Sequence, residues 1–134
     1  MSQYHTILLV EDEPLILMDL EFAAEDRGCV AVTATTPDAA LQLIAEKGRS
    51  IDAAVLDVSL GNGKTCFPVA SELDRLGIPY LLHSGDLDRH NERIRELDAL
   101  LIPKPAASDK VIAAAICRIH ERNSGFEQRQ IAAE

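Results

Sequence analysis

The chain has 134 residues, enough for one domain with its own hydrophobic core and too few for two of ordinary size. Its 47% hydrophobic and 26% charged residues describe a folded globular protein and exclude bulk disorder. A formal charge of −9, from 22 acidic against 13 basic residues, repels nucleic-acid phosphates and anionic lipid surfaces, so neither is an expected partner.

The run Ile7-Leu8-Leu9-Val10 is continuously apolar, as strands buried on both faces of a parallel sheet are, and stops at Glu11-Asp12-Glu13-Pro14. Pro14 suits the first turn of a helix predicted over residues 15–27, with Ile16, Leu20, Ala23 and Ala24 near helical spacing and Gly28 as its stop. A second strand, residues 29–34, leads to Thr36-Pro37-Asp38, a helix N-cap with proline behind it. Ala39, Ala40, Leu43 and Ile44 give that helix its apolar face, and Gly48 ends it. The third strand, residues 53–56, delivers Asp57 at its carboxyl end. After the loop Gly61-Asn62-Gly63, a helix is predicted over residues 66–76, closed by Gly77. A fourth strand, residues 79–82, ends at His83-Ser84-Gly85. A polar helix is predicted over 88–97 and a fifth strand over 99–102. Pro103-Lys104-Pro105 breaks the chain. Ser108 caps a final helix that turns Val111, Ile112, Ala115, Ile116 and Ile119 inward, and the residues after Gly125 extend it or fray.

Five strands alternating with five helices imply right-handed βαβ units and a doubly wound α/β fold with a parallel sheet. Cys29, Cys66 and Cys117 are odd in number and show no Cys-x-x-Cys spacing, which points to buried, inert thiols in a reducing compartment. The opening residues carry no basic segment, and their apolar run is too short for a signal peptide or membrane span, so a cytoplasmic protein is expected.

In open α/β sheets, ligand sites form beyond the carboxyl ends of the strands. There the chain places Glu11 and Asp12 after strand one, Asp57 after strand three, Ser84 after strand four and Lys104 after strand five. Taken singly, each has a plain structural reading. Glu11-Asp12-Glu13 suits a helix entrance, Ser84-Gly85 a turn, and a lysine between prolines the surface. Together they carry chemistry. Crowded carboxylates repel unless a cation neutralises them, and carboxylate and carbonyl oxygens with retained water suit Mg²⁺. Asp57 would be the nucleophile for a phosphoryl group, with Lys104 and Ser84 holding two of its oxygens. His83 reads as a packing or hydrogen-bonding residue. With no second histidine or cysteine nearby, zinc is not supported.

Over residues 5–123 the chain resembles the response regulator receiver family, of the chemotaxis-regulator-like kind. The residues that carry the resemblance are Glu11-Asp12, Asp57, Ser84-Gly85 and Lys104-Pro105, each at its strand end. The resemblance implies a flavodoxin-like sheet in the order 2-1-3-4-5, a receiver domain over 1–123, and a C-terminal tail or helix extension over 124–134. It also implies Mg²⁺ held directly by Asp12 and Asp57, with Glu11 acting through water and the Ser59 carbonyl completing the set. A cis peptide between Lys104 and Pro105 belongs to the same pattern. The implied function is that of a stand-alone response regulator in a two-component phosphorelay. It would take a phosphoryl group from a histidine kinase or phosphotransfer protein onto Asp57. It would then signal through protein contacts or act as a phosphate sink, and it would catalyse only the phosphorylation and dephosphorylation of its own Asp57. Self-association is expected through the face made by the polar helix, the fifth strand and the final helix, or through the tail.

Three features depart from the pattern. The loop after Asp57 lacks the Met-Pro common in the family, and Leu101 stands where many members carry a Tyr or Phe that rotates inward. Gly77-Ile78-Pro79-Tyr80 and the glycine-rich loop look like single-domain receivers of alphaproteobacterial type; in some of these the strand-four loop takes over switching, which here would put His83, Ser84, Gly85 and Asp86 in charge. The alternative is a pseudo-receiver, an interaction module independent of phosphorylation. A phosphatase of the haloacid dehalogenase kind needs a second acid where Ser59 stands and a nucleophile after the first strand. Flavodoxin-type cofactor binding needs a phosphate-cradling loop that strand one lacks.

Overall fold

The computed structural model describes residues 4–85, 94, 96–97 and 99–133, with side chains up to residue 123. Five strands, β1 (Thr6–Val10), β2 (Val30–Ala34), β3 (Ala53–Leu56), β4 (Tyr80–Ser84) and β5 (Leu100–Pro103), pair in parallel in the order β2-β1-β3-β4-β5. Between and after them run α1 (Pro14–Asp26), α2 (Pro37–Lys47), α3 (Phe67–Leu76) and α4 (Ser108–Ala133), with a short 3-10 turn at Gly48–Ser50. This is the flavodoxin-like doubly wound sheet expected from the sequence. The polar helix expected over 88–97 and Asp86 fall largely or wholly outside the described residues.

The period of two along each strand decides the layers. Leu8, Val10, Ala54, Leu56, Tyr80 and Leu82 point to one face and pack with Ala40 and Ile44 of α2 and with Val69, Ala70 and Leu73 of α3. Ile7, Leu9, Ala53, Val55 and Leu81 point to the other and pack with Leu20, Ala23 and Ala24 of α1 and with Val111, Ile112, Ala115 and Ile119 of α4. Both faces of β1, β3 and β4 are therefore sealed, which is why these strands read as unbroken apolar runs. The helix ends are chemically specified. Thr36 Oγ1 accepts a hydrogen bond from the Ala39 N–H at 3.1 Å, with Pro37 directly behind it. Gly77, at φ 71°, supplies the left-handed residue that ends α3.

The structure corrects several expectations. Strand β2 begins at Val30, because the Cys29 N–H turns back to the Ala24 carbonyl at 2.9 Å and belongs to the exit from α1. Strand β4 runs on through His83 and Ser84, which pair with Ile102 and Pro103, and β5 is shifted one residue later to match. Cys29 and Cys66 are buried as expected, but Cys117 is exposed. It lies two positions from Ala115 on α4, about 200° around the helix from that buried residue. Among the described residues no helix is long and apolar enough to cross a membrane.

The α2 cap is exposed and local, so Thr36→Ala isolates its worth. We expect a loss of about 1 kcal/mol in urea unfolding with an unchanged m-value, since only one helix-end donor loses its partner.

Candidate functional site

The polar residues at the strand ends meet on one rim. Glu11 follows β1 directly, and its N–H continues the ladder to the Ala34 carbonyl at 3.1 Å. Asp57 follows β3, anchored by its N–H to the Val10 carbonyl at 2.9 Å. Lys104 follows β5, anchored by its N–H to the Ser84 carbonyl at 2.8 Å, and the Lys104–Pro105 peptide is cis. Main-chain bonds thus fix the origin of each side chain before any side chain interacts.

The side chains then converge. Lys104 Nζ lies 3.3 Å from Asp57 Oδ2 and 3.0 Å from Glu11 Oε2, and it donates a hydrogen bond to Glu11 Oε1 at 3.3 Å. Ser84 Oγ donates to Asp57 Oδ1 at 3.4 Å. Glu11, Asp57 and Ser84 are buried, whereas Asp12 is open to solvent. Oxygens of Glu11, Asp12 and Asp57 all lie within 4.8 Å of one another, one ligand atom from each. Ser59 comes to the rim through the chain, two residues past Asp57, with its side chain exposed.

The loop after Asp57 folds back over this cluster. Ser59 bridges Thr65 in antiparallel fashion, and the Leu60 N–H reaches the Lys64 carbonyl at 2.9 Å. The turn between them takes three successive positive φ values, at Gly61, Asn62 and Gly63, and glycine and asparagine tolerate these best. A Cβ at Gly61 would stand 3.3 Å from Asp12 Oδ2, so this glycine also allows the loop to lie close against the acidic group.

The electrostatics follow from the crowding. Burial, then the charge of Glu11, push the Asp57 carboxyl up to about 7 against the pull of Lys104. Burial alone would lower Lys104, but its hydrogen bond to Glu11 and the charges of Asp57 and Glu11 outweigh it and leave the amine's pKa raised. One ammonium is shared between two sunken carboxylates. The cluster is short of positive charge.

Two features escaped the sequence reading. His83 is buried, as a packing residue should be, but among the described residues neither ring nitrogen has a hydrogen-bond partner. Burial and the Lys104 charge lower its pKa to about 4, so the ring is neutral near pH 7. On α1, Leu15, Met18 and Phe22 stand 73%, 43% and 55% exposed. Their i, i+3, i+7 spacing makes a stripe beside the buried one, and counting positions outside the Leu20–Ala24 face would have revealed it.

The raised Asp57 pKa has a stability consequence. Below the ordinary carboxylate value of 3.8 the group is protonated whether or not the chain is folded, and it costs nothing. As pH rises toward about 7 the folded state holds a proton that the unfolded chain has released, and stability falls. Asp57→Asn should therefore raise stability by about 2 kcal/mol at pH 8 in the absence of divalent cations. In thermal or urea unfolding the gain should grow between pH 4 and pH 7 and then level off; a gain independent of pH would contradict this account.

No protein-family model matches the chain, and no curated protein does either. Solved structures do. The solution structure of SdrG from Sphingomonas melonis Fr1 is 38% identical, with 89% of this chain matching 98% of that one at a TM-score of 0.72. A response regulator receiver protein from Sinorhizobium medicae WSM419 shares the fold at 23% identity and TM-score 0.77, over 90% of this chain and 98% of its own. A receiver domain from Clostridium thermocellum does so at 20% identity and TM-score 0.77, over 89% and 97%. With that identity across nearly all of SdrG and the same architecture as solved receiver proteins, the chain belongs to the response regulator receiver domain family.

Proposed function

We propose that the chain is a stand-alone response regulator that accepts a phosphoryl group on Asp57 from a histidine kinase or a phosphotransfer protein. The observation that carries this reading is the convergence of Lys104 Nζ and Ser84 Oγ on the two different carboxylate oxygens of Asp57, at 3.3 and 3.4 Å. A nucleophile flanked by a fixed ammonium and a hydroxyl is what an incoming phosphoryl group requires.

The donor set fits Mg²⁺: three carboxylates offer hard oxygen ligands at mutual distances one small cation can span. Asp12 and Asp57 would hold it directly, Glu11 through water, and the Ser59 carbonyl would complete the protein's share. When bound, the ion offsets negative charge on the transferring group. Asp57 attacks phosphorus through one carboxylate oxygen. The phosphorus–nitrogen bond of a phosphohistidine breaks, and the imidazole leaves and takes a proton from solvent. An acyl phosphate remains on Asp57. Lys104 and Ser84 then turn to the phosphoryl oxygens, because about two new negative charges outcompete the single one they faced before.

A protein donor must cover this rim to deliver its histidine. Helix α1 starts two residues past Asp12, so its exposed stripe begins near the acidic cluster at Leu15, runs away from it through Met18 and Phe22, and offers an apolar anchor for that donor. Residues 1–123 would be the receiver unit, with 124–134 as its extension, acting in the cytoplasm and away from nucleic acid and membrane as its charge of −9 suits. Output would be a protein contact, self-association or a phosphate-sink role. Leu101, half-buried where an aromatic switch would stand, is the observation that favours a pseudo-receiver; the intact carboxylate, hydroxyl and amine set weighs against it.

Incubation with Mg²⁺ and acetyl phosphate should add one phosphoryl group to the wild type and none to Asp57→Asn, as read by intact mass. No adduct on the wild type, together with no Mg²⁺-dependent change in amide shifts on adding BeF₃⁻, would replace this reading with the pseudo-receiver. The α1 stripe has its own test. Met18→Ala combined with Phe22→Ala should lower transfer from a phosphorylated protein donor about tenfold more than it lowers labelling by acetyl phosphate.

A further inference from the structure

Lys104 and a divalent cation compete for the same oxygens. In this structure the ammonium is paired with Glu11 and Asp57, which together with Asp12 make up the group that could hold a metal ion. A doubly charged ion entering there repels the ammonium and takes its partners, so the amine needs another seat. One lies beside it. A cavity of about 150 Å³ opens between α1 and the segment after β5, and Lys104 and His83 both line it, with Ile16, Asp19, Ala106 and Ser108 around them. That is several times the space one water occupies.

Resting on the receiver reading, we propose that His83 is a positioning residue for Lys104: when a divalent cation occupies the carboxylate cluster without phosphate, the imidazole accepts a hydrogen bond from the displaced ammonium.

Three observations support this. His83 is 3% exposed and, among the described residues, neither nitrogen is hydrogen-bonded, a state whose cost a new partner would recover. Both nitrogens are closed to solvent, and Lys104 is the cationic side chain that, among the described residues, lines the same cavity as His83. The ring is kept neutral by burial and by Lys104 itself, so it presents a lone pair, as an acceptor for an ammonium must. The other groups facing the cavity suit the arrangement. Asp19 of α1 adds a negative charge that welcomes the amine, and the Ser108 hydroxyl can accept a second of its protons.

The test uses the full chain, ¹⁵N-labelled and titrated with MgCl₂ in the absence of any phosphodonor. It follows the His83 ring nitrogens and the Lys104 ammonium by NMR, together with the Mg²⁺ dissociation constant. As Mg²⁺ binds, one His83 nitrogen should move from the shift of a free acceptor to that of a hydrogen-bonded one. His83→Phe keeps a ring of similar size and removes both nitrogens; it should weaken Mg²⁺ binding about tenfold, the worth of one hydrogen bond to a charged group. His83→Gln should recover part of that through its amide oxygen. In a Lys104→Met background the same His83→Phe change should alter the constant by less than about twofold. Unchanged ring shifts on the Mg²⁺-bound wild type, equal Mg²⁺ affinity in wild type and His83→Phe, or the same loss with and without Lys104 would overturn the role of His83 while leaving the metal site standing. A wild type that binds no Mg²⁺ would overturn both. Since the ring shift is read on the wild type, it decides even where a variant folds poorly.

Discussion

One ammonium shared between two buried carboxylates is the interaction on which the rim depends. Glu11 and Asp57 are each almost wholly out of water, and Lys104 bonds to both. Desolvation of charges is costly, and one counter-ion does not balance two, so Asp57 is driven toward holding a proton. A looser protein would relieve this by letting the acids drift apart. Here the N–H groups of Glu11 and Asp57 are tied into the sheet at 3.1 and 2.9 Å, so the crowding persists. The relief must come from outside, as a proton, a cation or a change of partner. A centre built that way is poised to bind.

The sheet distributes rigidity unevenly across that centre. The acids hang from β1 and β3, which pair on both sides and are sealed by helices on both faces. The amine hangs from β5, an edge strand that pairs with β4 alone and is partly exposed along its length. Elements with fewer ladder bonds and fewer buried contacts open at lower free energy. When charges at the rim rearrange, the acids are therefore the fixed points and Lys104 is the moving one. The cavity beside Lys104 lies along this softer side, between α1 and the chain leaving β5.

Much of this was legible in the residues, for a physical reason. Central strands sealed on both faces must be apolar throughout, so Ile7 to Val10 and Ala53 to Leu56 announce themselves, and the first polar residue after each falls on the rim. Thr36-Pro37 and Gly77 specify helix ends by local chemistry alone and could be placed without knowing the fold. What failed to show was tertiary. Strand β4 runs two residues further than its apolar stretch because His83 and Ser84 find ladder partners on β5, which no local signal foretells. Cys117 looked like a core thiol by residue type, whereas its place around α4 decides otherwise. That no described residue bonds to the His83 ring depends on its tertiary surroundings, which a sequence does not record.

Ser84 is where the two halves of the rim are joined. Its hydroxyl bonds to Asp57 at 3.4 Å, and its carbonyl accepts the Lys104 N–H at 2.8 Å. A pull on the side chain therefore reaches the backbone that carries the amine, through one residue and without an aromatic intermediary. Leu101 is no substitute for such an aromatic: it packs against the core with α2 and α3, and it has no polar tip to trade between solvent and a partner. On the proposed reading, the signal leaves Asp57 through Ser84 and the end of β4, whose neighbour on the chain is His83, its ring without a hydrogen bond among the described residues. His83 thus adjoins one of the two residues, Ser84 and Lys104, whose side chains bond to Asp57.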